Sequence, residues 1–308
     1  MRINTFHIAL LLLPCALHAQ TAATEALAWP PSPDPARTLY TRSISGDRDI
    51  EGERSFLGKV WDFIVGAEQQ RRMLVQPLAV AVDVTGNLYV SDPGARCVHV
   101  FDFADEKYSR ITEGKTESLV CPTGLAAAPD GGMYISDAER KTVTLYDGDG
   151  DPQVEISGMF ARPTGLAVMG HRLFVVDTGN NAVFVFTLRG EFLYRFGSRG
   201  TDAGMFNFPV YLAAREKLFV VDAMNFRVQI LSDSGKAISM FGTQGSSIGS
   251  FAHPKGIALD SDGNVYVTDT MHDLIQIFDQ EGQLLLVVGG SGSASKRFIP
   301  SKPISSVE

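Results

Sequence analysis

The sequence predicts an all-β propeller of four-stranded blades, and two observations predict it. A proline-led run of small apolar residues recurs as PLAVAVD at 77, PTGLAAA at 122, PTGLAVM at 163, PVYLAAR at 209 and PKGIALD at 254, at spacings of 45, 41, 46 and 45 residues. Each run leads into three more short segments rich in β-branched and aromatic residues, parted by Gly, Asp and Asn. Four β segments per period of this length form one propeller blade, and neighbouring blades must cover each other's apolar faces.

The second segments read GNLYVSD (86–92), GGMYISD (131–137), HRLFVVD (171–177), EKLFVVD (216–222) and GNVYVTD (263–269). The third are CVHVFD, TVTLYD, AVFVFT, RVQILS and LIQIFD. The fourth is clearest in GEFLYRFG (190–197), GKAISMFG (235–242) and GQLLLVVG (282–289). Tyr89, Tyr134, Phe174, Phe219 and Tyr266 hold one phase of the second strand, where they are expected to fill the space between adjacent sheets.

The chain ahead of the repeats divides by composition. Arg2, the apolar IALLLLPCAL (8–17) and Leu17-His18-Ala19 have the order of a secretory signal cut near Ala19, so export to the periplasm or cell exterior is expected. Cys15 raises a lipid anchor, but the preceding Pro14 is a poor fit, and membrane contact is otherwise not expected. Residues 20–37, with Pro at 30, 31, 33 and 35, read as an extended linker. Residues 38–76 hold a candidate strand and then RSFLGKVWDFIVGAEQQRRM (54–73), where Phe56, Leu57, Val60, Trp61, Ile64 and Val65 recur at helical spacing. That spacing predicts one short N-terminal helix over 54–66. The repeats fill 77–290, and 291–308 read as the truncated start of a further blade.

The phrases PKGIALDSDGNVYVTDTMHDLIQIFDQEG (254–282) and PVYLAAREKLFVVDAMNFRVQILSDSGK (209–236) resemble the NHL repeat. The resemblance covers residues 77 to about 290 in five copies, and it implies a six-bladed propeller like those of exported bacterial NHL proteins. Such propellers usually close with a composite blade whose outer strand comes from the N-terminus. TLYTRSIS (38–45) is a fair outer strand, in phase with EFLYRFGS (191–198). Its partners should follow Pro300, which is in phase 46 residues after Pro254, yet only SKPISSVE remains. The last blade is therefore expected to be incomplete. Three arrangements stay open at this point: a ring with a gap, a five-bladed ring, or a gap filled by association with a second chain.

Five aspartates, Asp92, Asp137, Asp177, Asp222 and Asp269, end the second strands and are expected to accept backbone amides at the following turn. Equivalent copies on every blade suit architecture better than an active site. No catalytic residue is assigned, because no nucleophile elbow, phosphate loop or dinucleotide fingerprint is present. The resemblance brings in amidating lyases with axial zinc histidines and calcium-dependent lactonases, but His99, His171, His253 and His272 do not form a three-ligand set, and no metal or cofactor is expected. Cys97 and Cys121 could pair as a disulfide, and no base is evident near Cys97.

The turns after the second strands carry Arg96, Arg140, Lys141, Asn181, Asn225, Arg227 and His272, on what should be one face of the propeller. The expected role is a scaffold that binds a protein or peptide there. Loss of the signal leaves 26 basic and 35 acidic residues, which opposes nucleic-acid binding. A metal-dependent hydrolase or lyase on the axis, and a nonfunctional short form, are the alternatives.

Overall fold

The computed structural model describes residues 28–29, 38–39, 42–50 and 73–289. Strands β1 (Ala28–Trp29) and β2 (Thr38–Leu39) form a two-stranded antiparallel ribbon. The propeller follows. Blade one is β3–β6 (Ala79–Val82, Leu88–Asp92, Cys97–Asp102, Lys107–Ile111). Blade two is β7–β10 (Pro122–Ala127, Met133–Asp137, Thr142–Tyr146, Pro152–Ile156). Blade three is β11–β14 (Pro163–Met169, Arg172–Asp177, Ala182–Thr187, Phe192–Phe196). Blade four is β15–β18 (Pro209–Ala214, Leu218–Asp222, Arg227–Leu231, Ala237–Phe241). Blade five is β19–β22 (Pro254–Leu259, Val265–Asp269, Leu274–Phe278, Leu284–Gly289).

Each blade is an antiparallel sheet in sequence order. The first strands line the axis, packing β3 on β7, β7 on β11, β11 on β15 and β15 on β19. Strand alternation sends successive residues to opposite neighbours. In β8, Met133 and Ile135 pack toward blade one, while Tyr134 packs toward blade three. The aromatic of each second strand faces the following blade: Tyr89 toward blade two, Tyr134 toward three, Phe174 toward four and Phe219 toward five. Tyr266 holds the same place on the far face of blade five, beside Ile275, Ile277 and Val288. Fully burying one such side chain contributes about 1.5–3 kcal/mol.

The proline-led motif has a local cause. Pairing of β7 with β8 shifts between Pro122 and Leu125, and the Ser136 hydroxyl fills the break by accepting from the Gly124 amide at 2.8 Å. Thr268 does the same for Gly256 in blade five. In blade four the glycine position holds Tyr211. Its ring crosses the axis, and its hydroxyl donates to the Thr123 carbonyl of blade two at 2.9 Å. Below it, the inner strands line a partly open cavity of about 180 Å³ beside residues such as Ala81, Ala126, Ala167, Ala213 and Leu259.

Two sequence expectations are corrected here. The described residues hold five blades, not an assembled six-bladed ring. Among the described residues of the expected outer strand, Thr38–Leu39 pairs with β1 rather than with a blade, and the half-buried Ile44, with the buried Ile50 beyond it, packs against Val90, Phe101 and Tyr108 on the outer face of blade one. Apolar burial over that face wins over ladder pairing for this segment. The helix predicted at 54–66, the export signal, most of the linker and the tail at 291–308, with any association through it, lie outside the described residues. Among the described residues there is no α-helix, only 3-10 turns at Asp47–Asp49 and Ala223–Asn225, and no helix long and apolar enough to cross a membrane.

Candidate functional site at the top face

We call top the face that carries the turns after the second strands. The chain also returns there between blades, because four antiparallel strands end on the side where the next inner strand begins. The repeated aspartates tie these two sets of loops together. Asp92 accepts from the amides of Val75 (2.6 Å) and Gln76 (2.8 Å), Asp177 from Ala161 (2.7 Å) and Arg162 (2.9 Å), and Asp269 from Ala252 (2.7 Å) and His253 (3.0 Å). Asp137 takes Val120 (2.7 Å) and Cys121. All four also accept from their own turn, at Ala95, Arg140, Asn180 and His272. These carboxylates are buried. For Asp92, burial acts to raise the pKa, but the amides of Gln76, Val75 and Ala95 outweigh it and hold the carboxyl below its usual value. The link to the preceding interblade loop was not read from sequence, because Asp92 and Val75 are 17 positions apart.

Blade four differs. Asp222 takes a single amide of the preceding loop, Asn207 at 2.6 Å. Its other oxygen accepts from Asn225 Nδ2 (2.8 Å), Arg227 Nε (2.8 Å) and Gln229 Nε2 (3.1 Å). The Arg227 guanidinium reaches on to the carbonyls of Thr201, Asp202 and Met205 at 2.7–3.0 Å. Arg227 is therefore a buried clamp on the loop entering blade four. The Phe208 amide donates instead to Asn181 Oδ1 of blade three at 2.9 Å, and Phe208 has φ 55°, in the left-handed region.

The other turn residues separate into three groups. Arg96, Lys141 and Asn181 occupy a left-handed backbone position, φ 53°, 58° and 51°, shared by Phe226 and Asp273 four residues after each aspartate. Arg96 and Lys141 are exposed. Arg140 turns inward: its side chain is only 6% exposed, and Nη2 bonds Thr116 Oγ1 (2.6 Å) and Glu155 (3.2 Å). His272 pairs its Nδ1 with Asp269 at 3.1 Å. A row of presented basic turns is thus not what the structure brings together. The buried carboxylate of Asp222 and the partly buried one of Glu155 draw Arg227 and Arg140 inward, and these two side chains are at most 10% exposed. What the top face presents instead includes Met205, Phe208, Met224, Ile248 and Met271, each at least 37% exposed.

Cys97 and Cys121 are both free thiols. Cys97 turns within blade one toward His99, while Cys121 is held at the entrance to blade two by Asp137. The expectation that no base neighbours Cys97 is corrected. Strand alternation puts Cys97 and His99 on one face of β5, with Sγ 3.5 Å from Nε2, and Nε2 lies 3.3 Å from Asp92 Oδ2. The thiol and the carboxylate thus meet the same ring nitrogen, while Nδ1 bonds the Tyr108 hydroxyl at 2.7 Å, so no relay runs through the imidazole, and all three groups are buried. Burial pushes the Cys97 thiol up to about 11, which disfavours the thiolate nucleophile.

His99 stands where blades four and five have Gln229 and Gln276, each opposite a second-strand valine. His99→Gln is expected to keep a donor for Asp92, as Gln229 does for Asp222, and to fold normally. His99→Ala should cost about 1–3 kcal/mol. Burial, opposed by the pull of Asp92, lowers the His99 pKa below 6.5. Below that value the unfolded chain binds a proton that the folded chain resists, so stability falls as pH falls. His99→Gln should flatten this dependence, read as urea midpoints at pH 7 and about 5.5.

Among the described residues, no three His, Cys, Asp or Glu side chains gather as a metal-ligand set. His253 bonds Thr270 Oγ1 (2.8 Å) while His272 pairs with Asp269, and His171 is exposed on the opposite face.

Comparison with known proteins agrees with this architecture. The NHL repeat family matches residues 160–186 and 251–278, within blades three and five. The chain is a β-propeller that carries NHL repeats. Solved structures similar to this NHL propeller include virginiamycin B lyase from Staphylococcus aureus (13% identity, 68% of this chain and 69% of that chain, TM-score 0.54). Another is a protein of unknown function from Bacteroides thetaiotaomicron (18% identity, 71% and 59%, TM-score 0.54). A third is Kuenenia stuttgartiensis hydrazine synthase (16% identity, 68% and 78%, TM-score 0.50). At these identities the likeness is one of fold. No curated protein sequence matches the chain.

Proposed function

We propose that this NHL propeller is an exported recognition platform that holds a polypeptide partner on its top face, as a scaffold or accessory subunit of an envelope complex. The observation that carries the reading is the apolar display there, with Phe208 50%, Met224 48% and Met271 72% exposed above loops locked by buried carboxylates. Exposed apolar groups on a rigid frame suit a partner surface, and methionine adapts to varied contacts. The N-terminal signal pattern supports export.

The test is photo-crosslinking in cells, with a benzoylphenylalanine placed at Met224 or Met271 on the top face, or at Glu216 on the opposite face. One discrete polypeptide adduct from the two top positions, identified by mass spectrometry and absent from Glu216, is expected. Adducts from Glu216 alone, or none from any position, would overturn the platform.

A further inference from the structure

Each first strand ends its sheet, so one of its edges pairs with the second strand and the other faces the propeller axis. The hydrogen-bond phase shows which residues turn inward. Ala128 N donates to the Gly132 carbonyl at 2.8 Å, Arg215 N to that of Lys217 at 3.1 Å and Asp260 N to that of Asn264 at 3.2 Å. Antiparallel ladders alternate between bonded and non-bonded pairs. Ala126, Ala213 and Ala258, two positions earlier and opposite Tyr134, Phe219 and Tyr266, are therefore bonded residues. Their neighbours, Leu125 and Ala127, Leu212 and Ala214, Ile257 and Leu259, turn N–H and C=O toward the axis.

At the top end of the axis the first-strand carbonyls find partners. Ser91 Oγ donates to the Thr123 carbonyl at 3.2 Å, Ser136 Oγ to that of Thr164 at 2.6 Å and Thr178 Oγ1 to that of Pro209 at 2.6 Å. Lower down the wall offers no hydroxyl, because the cavity of about 180 Å³ is lined only by Ala, Val, Leu and Ile. Buried backbone donors and acceptors rarely go unpaired, so the cavity is where their partner enters. Tyr211 closes the upper end, with its hydroxyl on Thr123. At the lower end Val82, Ala127, Val168 and Ala214 are half-buried, which puts the opening on the bottom face.

The lining sets the ligand class. No charged side chain lines the cavity, so a charged ligand would shed its hydration with no counter-charge to replace it. An apolar ligand would displace water and leave the strand edges unpaired. A hydroxyl both donates and accepts, and so suits N–H and C=O together. At about 30 Å³ per water, the volume holds about six waters, or a ligand of about that many non-hydrogen atoms.

We infer that the axial cavity is a binding site for a small neutral polyol, entered from the bottom face, held by inner-strand backbone and stopped by Tyr211. The test titrates glycerol into the isotope-labelled full chain and follows backbone amide resonances. Ala127, Leu212 and Leu259 should shift along one saturating curve, with a dissociation constant on the order of 1–10 mM. Ala126, Ala213 and Ala258, whose amides are spent on the ladder, should move less. Ala214→Leu narrows the lower end and should weaken binding about tenfold. Ala127→Leu, at the same level of blade two, is the second variant and carries the same expectation. No shift, or shifts that grow linearly without saturating, overturn the site. Saturation that maps away from the axis, or that survives both variants undiminished, overturns it too. Saturable shifts of the axial amides with benzene and not with glycerol overturn the polyol class.

Discussion

Asp222→Ala is expected to lower the unfolding free energy by about 3–5 kcal/mol, because it leaves the buried Arg227 guanidinium without its carboxylate. One oxygen of Asp222 serves Arg227, Asn225 and Gln229, and the other serves the Asn207 amide. The same substitution at Asp177 removes amide contacts and the Asn180 side-chain bond but strands no charge. It should therefore cost less. Urea unfolding of both variants tests the ranking. Equal losses would mean that Arg227 finds water or another partner when Asp222 is gone.

Gly124→Ala and Gly165→Ala are expected to be comparably damaging, for a different reason. A Cβ on Gly124 would overlap the Thr164 carbonyl oxygen, and one on Gly165 would lie 2.6 Å from the Tyr211 Cα. Both obstacles are backbone of the next inner strand, so no side chain can swing aside. Overpacking of this kind costs about 1–3 kcal/mol where side chains can adjust, and here the strands themselves must part. Gly86→Ala is the control for steric crowding, since nothing lies within 4 Å of a Cβ there, although its φ of 92° adds strain of its own. If Gly124→Ala unfolded no earlier than Gly86→Ala, the inner strands would be less closely packed than described.

The blades were legible in the sequence because each strand repeats with its neighbours. A proline, a small apolar run, an aromatic and an aspartate recur in phase, and every copy reports the same packing. Departures from the repeat were harder to read. Tyr211 stands where blades two, three and five have glycine, and only the curvature of the ring shows that its ring can cross the axis to Thr123. Arg140 and Arg227 look like surface charge in a turn, yet a turn sequence does not reveal a buried carboxylate beneath it. The left-handed conformation of Phe208 was not legible either, since an aromatic before proline gives no local reason for it. A signal was present in retrospect. Blade four alone combines Asn225, Arg227 and Gln229 around its aspartate, and that excess of donors displaces an amide. The Cys97–His99–Asp92 contact could have been found from alternation along β5, which puts residues 97 and 99 on the same face.

The account turns on one residue: the Asp222 hub holds Phe208 in a costly conformation so that its ring is displayed. Comparison of Phe208→Gly with Phe208→Ala isolates that cost, because both remove the ring and only glycine relieves the left-handed strain. The measurement is the urea unfolding free energy of the two variants. Glycine is expected to be the more stable by about 1 kcal/mol, in keeping with the left-handed penalty paid by other residues. An alanine variant as stable as the glycine variant, or more so, would contradict the claim that the fold strains Phe208 to present it.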